Sequence, residues 1–433
     1  MPQAVSSRPR ELRRYARAVI VARVTAASIP GARPRLSRLV ALAPILLGIS
    51  VIVRIASTMI AYSVQGDFFF DLHVYVIGGA ALNHPGTLYD VFYVDPVKGE
   101  HLAFTYPTFA AMVFYPLHLL KFGLVAFLWQ VGQVAAVYGS VRISQRFIGG
   151  GSRRIAMLWT AVALWLEPVA SSFQTGQVGV FLMLGVLYAA YTTRWWLSGL
   201  LIGVGAGIKL TPAITGLYFV GMRRWAAAAF SAVAYFGTVA VAYLAFPVDT
   251  GRYFPHQMIK AGQTLPVGSS WNQSWLGGIS RIVGHDAGPR SLVVLAIAAT
   301  GLLTVVAWRA LASGTGERDR LGLLLVIQLF GLMAAPVSWI HHWVWVVPLL
   351  IWLIHGPWRD KPGAKLLGWG WLVLMVISVP SLLSLAQPNI MEFSRPWYLA
   401  WPGLIYIAAS LTTLAWIAVT GRRVGAADTV TTP

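Results

Sequence analysis

Residues 39 to 62 read LVALAPILLGISVIVRIASTMIAY, an apolar run of the length an α-helix needs to cross a bilayer. The 38 residues before it carry nine arginines (Arg8, Arg10, Arg13, Arg14, Arg17, Arg23, Arg33, Arg35 and Arg38) against one acid, Glu11. That basic region is too long for a cleaved secretory signal, and the run that follows is a full span. The segment therefore reads as an uncleaved first membrane helix that starts in the cytoplasm, preceded by a basic cytoplasmic arm over residues 1–38 that can lie along anionic headgroups.

Working outward, further runs of span length fall near 122–146, 155–172, 176–193, 225–246, 291–311, 321–336, 338–355, 366–385 and 397–419. Residues 103–120 are ambiguous. Residues 195–222 are apolar but interrupted by Lys209 and Pro212, which fits either one tilted helix or a discontinuous pair. The expectation is an all-α polytopic membrane protein with roughly ten to thirteen membrane segments over 39–420. A short tail, 421–433, completes the chain.

Composition agrees. Of 433 residues, 57% are apolar and only 11% charged, with a mean hydropathy of +0.67. That is too little charge to solvate a globular surface of this size. There are 33 Lys and Arg against 14 Asp and Glu, a net charge of +19. The basic residues lie in short segments between apolar runs, as the positive-inside rule expects, so nucleic acid is not the expected partner; membrane lipids are. Absence of cysteine excludes disulfides, Cys-ligated metal and thiol catalysis.

The same rule orients the chain. Arg153, Arg154, Arg194, Arg223, Arg224, the 309–320 loop, the 359–365 loop, Arg422 and Arg423 can all be cytoplasmic if 195–222 dips in and returns and 103–120 does not fully cross. Both termini are then cytoplasmic. The opposite face holds residues 63–104, 173–176, 247–290, 336–341 and 386–396, where most of the acids and histidines gather. The reading places chemistry on the outer, periplasmic face of the plasma membrane. No internal repeat is visible, which weighs against transporter folds built from inverted repeats.

Several residues there are poorly explained by packing alone. Asp67 and Asp71 are four apart, and Asp71 sits between FFF and LHVYV. A carboxylate among apolar residues at the membrane edge is costly unless paired or used, for instance as a general base. Lys209, in GVGAGIKLTP, costs roughly 2.5–3.5 kcal/mol at a helix centre on insertion scales and implies an anionic partner such as a lipid phosphate. The stretch is not a phosphate loop, because Ile208 and Leu210 occupy positions that need Gly and Ser or Thr. Gly199, Gly203 and Gly207 recur every four residues and read as a close helix-packing face.

In AAPVSWIHHWVWVVP, His341 and His342 are adjacent and would point about 100° apart on a helix, which disfavours one shared metal ion and suits hydrogen bonding to a phosphate or sugar. No metal is expected. Ser171, Ser172, Gln174 and Gln177 cluster at one span boundary, and Asn272, Gln273, Ser274 and Arg281 in the later outer loop. Amides and aromatics, Tyr106 among them, suit sugar hydroxyls; the alternative is helix-packing glue.

Taken in order, DLHVYVIGGAA from Asp71, GTLYD at Gly86–Asp90, FTYPTFAAMVFYPL at Phe104–Leu117, QTGQVG at Gln174–Gly179, GIKLTPA at Gly207–Ala213, WNQSWLG at Trp271–Gly277 and PVSWIHHW at Pro336–Trp343 resemble glycosyltransferase family 87. The resemblance covers roughly residues 40–420. Each motif alone is weak, but seven in order are specific. YPT at Tyr106–Thr108 departs from members with a second proline there.

The resemblance implies a GT-C glycosyltransferase fold and an inverting, metal-independent mannosyl transfer. The donor would be polyprenyl-phosphate-mannose, with no further cofactor, and the acceptor the 2-hydroxyl of a terminal mannose on a phosphatidylinositol mannoside glycolipid. It places the essential aspartate on Asp71 and the histidine motif on His341 and His342. The residue chemistry converges on the same roles. One carboxylate takes the acceptor proton, while His341, His342, Lys209 and Arg281 face the donor phosphate. Asp67, Tyr106, Gln174, Gln177, Asn272 and Gln273 are left to bind sugar. A related enzyme that branches lipomannan or transfers arabinose, or a lipid or sugar transporter, are the alternatives.

Overall fold

The computed structural model describes residues 34–66, 68–96, 99, 101–254, 267–313, 318–387, 389 and 392–430. Residues 1–33 of the basic arm, Asp67, residues 255–266 of the later outer loop and the last three residues of the tail lie outside these.

Among the described residues, six helices are long and apolar enough to cross a membrane: Ala43–Gln65, Phe122–Phe147, Trp225–Ala245, Ser291–Ala312, Ala364–Leu385 and Trp397–Gly421. A further pair, Arg153–Ala163 and Glu167–Thr175, passes the same test only together and is bent by 68° at the break between its halves, the geometry of a broken span or a re-entrant loop. Shorter apolar helices fill the remaining segments: Thr108–Leu119, Gly179–Tyr191, Trp195–Ile208, Arg320–Ala334 and Ile340–His355. The expected segments thus divide into full crossings and pieces too short to cross alone. The chain is a multi-pass membrane protein.

Apolar side chains face outward on the long helices, as a hydrocarbon solvent permits. Ile52, Leu244, Leu302 and Leu366 are 69–83% exposed. The core lies inside the bundle, where Arg320–Ala334 and Val346–His355 are buried almost throughout. The glycine stripe at 199, 203 and 207 does what its spacing predicts. A Cβ on Gly203 would lie 2.6 Å from the Ser231 carbonyl oxygen, so Trp195–Ile208 packs backbone to backbone against Trp225–Ala245.

The segment 195–222 is discontinuous. Its first helix stops at Ile208, Lys209 adopts extended backbone, and Pro212 opens a 3₁₀ turn over Thr211–Ile214 before a short helix, Thr215–Gly221. The interruption leaves Lys209 at the negative end of a helix dipole, which favours its charge. Residues 103–120 likewise form only a short helix, Thr108–Phe114, running into a 3₁₀ turn.

Beyond the first span the chain enters the short helix Phe70–Ala81. A two-stranded antiparallel hairpin follows, Phe92 opposite Ala103 and Val94 opposite His101. The loop between helix and hairpin is clamped by Pro247–Arg252. Buried Asp249 accepts from the amides of Gly86 (2.7 Å) and Leu88 (3.1 Å), and Arg252 forms a two-pronged pair with Asp90.

Candidate active site

Asp71 stands in the first turn of Phe70–Ala81, and the chain is bent to put it there. Gly66 closes the first span in the left-handed conformation (φ 71°), and Phe69 adopts it again (φ 61°). A buried aromatic residue at positive φ is strained, and such strain persists only where the surroundings hold it. Here the Phe69 amide donates to the Gln174 carbonyl oxygen at 2.7 Å, and the Phe69 ring packs edge-on to Tyr62.

The turn Gln174–Gln177 is the other half of that contact. Gly176 (φ +76°) closes the Glu167–Thr175 helix, and a Cβ there would meet the Leu72 Cβ at 2.5 Å. Only glycine permits both the backbone angle and the approach. From the Phe122–Phe147 helix, Gln133 secures the turn by donating to the carbonyl oxygens of Ser172 (3.0 Å) and Gln177 (2.8 Å).

Gln177 is the hub of the site. Its Oε1 accepts from the Lys209 ammonium at 3.0 Å and from the Tyr75 hydroxyl at 3.1 Å, while its Nε2 donates to the Tyr106 hydroxyl at 3.3 Å. The Tyr75 and Tyr106 hydroxyls are 3.1 Å apart. Lysine has only donors, so Oε1 must face it. Tyr106 then donates to Tyr75, Tyr75 to Gln177 and Gln177 to Tyr106. This closed ring leaves Lys209 beside Asp71, with its ammonium 5.4 Å from the Tyr106 ring centroid.

Burial raises the Asp71 pKa to about 6, opposed by the charge of Lys209 and by Gln177 and Thr175, which favour the anion. One carboxylate oxygen, Oδ2, is shielded and has no hydrogen-bond partner. A carboxyl group tuned toward neutrality with an unused oxygen suits proton abstraction.

His341 and His342 lie on the 3₁₀ element Ile340–Trp345, near enough for Lys209 to act on both electrostatically. Their rings are nearly perpendicular (85°) with centroids 4.7 Å apart, and the Nε2 of each is buried without a partner. The Gly179–Tyr191 helix begins against them, an added Cβ on Gly179 falling 3.5 Å from the His341 carbonyl oxygen. Among the described residues no three side chains of His, Asp or Glu converge as metal ligands.

The structure thus brings together Asp71, Lys209, Tyr106, Gln177, His341 and His342, and adds Tyr75 and Thr175, which the sequence reading omitted. Tyr75 is one helical turn from Asp71, but within an apolar helix its ring alone reads as core. Gln174 contributes its backbone while its side chain is exposed.

The second expected cluster is a different object. Arg281 is 1% exposed and donates to the carbonyl oxygens of Ser269, Asn272 and Gly403. Gln273 donates to those of Ser270 and Gly403. Asn272 donates to Val267 and accepts from the amides of Ser274 and Ser338. Arg281, expected at the donor phosphate, and Asn272 and Gln273, expected at a sugar, are engaged instead largely by backbone groups and brace the loop ahead of His341, with Arg281 Nε left unpartnered.

A family model described as "Glycosyltransferase family 87" matches residues 104–336. The chain is 56% identical, over 90% of its length and 95% of the relative's, to a Mycolicibacterium smegmatis protein named polyprenol-phosphate-mannose-dependent alpha-(1-2)-phosphatidylinositol pentamannoside mannosyltransferase. A Mycobacterium tuberculosis protein of the same name is 55% identical over 92% of this chain and 93% of its own. A second M. tuberculosis protein, named polyprenol-phosphate-mannose-dependent alpha-(1-2)-phosphatidylinositol mannoside mannosyltransferase, is 30% identical over 81% and 85%. No solved structure matches.

Proposed function

The chain belongs to glycosyltransferase family 87, and from that membership and the geometry of the site we propose that it moves mannose from polyprenyl-phosphate-mannose to the 2-hydroxyl of a terminal mannose on a phosphatidylinositol mannoside. Two relatives more than half identical to it carry that activity in their names, which specify phosphatidylinositol pentamannoside. The observation that carries the mechanism is the Asp71 carboxylate, with one shielded and unpartnered oxygen, beside Lys209, whose charge also reaches two imidazoles with open Nε2 atoms.

In this reading the acceptor oxygen attacks the anomeric carbon of the β-linked donor while Asp71 takes the hydroxyl proton. The bond from that carbon to the phosphate oxygen breaks, and its electron pair leaves with the polyprenyl phosphate. Configuration inverts, giving an α-1,2 linkage. Lys209 and donors from His341 and His342 stabilise the charge gathering on the phosphate. Phosphate is already a good leaving group, so the reading assigns no metal and no cofactor beyond the donor. Tyr106 and Gln177 are left near the sugar. The active site is assigned to the outer face of the plasma membrane, with both termini in the cytoplasm, on the distribution of Lys and Arg.

The test is transfer by the purified protein from polyprenyl-phosphate-mannose to short phosphatidylinositol mannosides. The expected product carries one added α-1,2-linked mannose. Failure to use this donor, with turnover of a polyprenyl-phosphate-arabinose instead, would overturn the assignment.

A further inference from the structure

One buried acid has no part in the chemistry above. Glu167 opens the nine-residue helix Glu167–Thr175 at the 68° break in the bent span, and it is 7% exposed. A carboxylate inside a membrane bundle calls for an explanation. Its Oε1 accepts from the hydroxyls of Ser378 and, at 2.6 Å, Ser381; its Oε2 accepts from the Tyr406 hydroxyl. Ser378 is held in the left-handed conformation (φ 60°) at the junction of Ala364–Ile377 and Val379–Leu385, so the contact engages a second helix junction as well.

Both walls of the site depend on this carboxylate. On one side, the helix that Glu167 opens ends in Thr175 and the Gln174–Gln177 turn, which ties to Phe69 and Lys209. On the other, the Tyr406 ring packs edge-on against Trp343, centroids 5.1 Å apart, and Trp343 follows His342 directly. The break itself is secured from the first span. Ser50 donates to the Ala161 carbonyl oxygen (2.9 Å), a group orphaned by the helix end, and accepts from the Trp165 indole N–H (2.6 Å), while Arg54 stacks over that indole at 4.4 Å. The short helix is thereby a strut with a fixed hinge. Its far end sets where Gln177 holds Lys209.

We propose that Glu167 is a positioning residue for the transfer reaction, fixing the Asp71–Lys209 pair relative to the His341–His342 wall. The proposal rests on the mannosyl-transfer reading above. Displacement of about 1 Å at a reacting centre costs up to about a hundredfold in rate, so the effect belongs in kcat. It also belongs in the pH profile. The groups that face Asp71 are Lys209, Gln177, Thr175, Tyr75 and Tyr106; the 174–177 turn carries two of them and its Gln177 hydrogen-bonds the other three.

The experiment measures kcat, donor KM and the pH dependence of kcat, per mole of folded enzyme, for wild type, Glu167→Gln, Glu167→Leu and Tyr406→Phe. Glu167→Leu should lower kcat by about 100-fold. Glu167→Gln, which keeps an oxygen for Ser378 and Ser381, should recover most of it. Tyr406→Phe should lower kcat several-fold and move the acid limb up by about half a pH unit or more, because Lys209 and Gln177 then lower the Asp71 pKa less. Where Glu167→Leu does not fold, the other two variants decide. Unchanged kcat and acid limb in both, or a Glu167→Leu protein that loses only folded yield, would overturn the proposal. Absence of transfer by wild type would instead overturn the mannosyl-transfer reading.

Discussion

Two polar clusters in this protein look alike in sequence and differ in what their hydrogen bonds leave over. Around Arg281, Asn272 and Gln273, most side-chain groups are taken up by backbone groups of their own loop and of Gly403, Arg281 Nε excepted, and the result is a brace. Around Asp71, the polar groups hold one another through Gln177 and leave Asp71 Oδ2, His341 Nε2 and His342 Nε2 shielded and unpartnered. Buried polar groups without partners are rare in native proteins and each needs a reason. The comparison teaches that polarity in an apolar setting does not by itself mark a site; what marks this one is that a carboxylate and two imidazoles with unspent atoms gather around a single ammonium.

That distinction is open to breakage. Asp71→Asn keeps shape and removes the base, so transfer should fall by about 10²–10⁴ or more while folded yield and donor binding hold, as checked by a radiolabelled-mannose assay and donor titration. Near-normal turnover would break the comparison at its stronger end. Lys209→Met should lower kcat by about 10- to 100-fold and shift the acid limb of kcat to higher pH, since removing the nearby positive charge raises the Asp71 pKa.

Smaller effects sharpen the contrast. His341→Ala and His342→Ala should each raise donor KM by about three- to tenfold, read from initial rates against donor concentration. Arg281→Met should leave kcat per folded molecule within about twofold of wild type. It should instead reduce thermal stability in detergent by about 1–3 kcal/mol, because carbonyls of Ser269, Asn272 and Gly403 lose their donor. If Arg281→Met acted on donor KM instead, the brace would have to be counted with the site.

The sequence was most legible where a polar residue interrupts an apolar run. Asp71, Lys209 and the histidine pair stood out because each is costly in its setting, and the structure brings all four together. The break at Lys209 and Pro212 and the glycine stripe at 199–207 were readable for the same local reasons. Tyr75 and Thr175 were not, since an aromatic or a threonine within an apolar helix reads as core until its hydroxyl is seen to have neighbours. Glu167 escaped notice as a single acid at the start of a polar stretch; only the fold shows Ser378, Ser381 and Tyr406 arriving from more than 200 residues away. Arg281 was misjudged because sequence does not reveal which carbonyl oxygens will surround a guanidinium. Asp67 lies outside the described residues.

The central claim is that Asp71, desolvated yet held anionic beside Lys209, accepts the proton in the transfer step. A raised pKa means that the anion is present above about 6 and lost as the pH falls through that value. The direct measurement is the single-turnover rate of mannose transfer by wild type from pH 4.5 to 8. The account predicts a plateau above pH 7 and a tenfold fall per pH unit below about 6, a limb that disappears with the residual activity of Asp71→Asn. A rate that stays level down to pH 4.5, or an unchanged limb in Asp71→Asn, would contradict it.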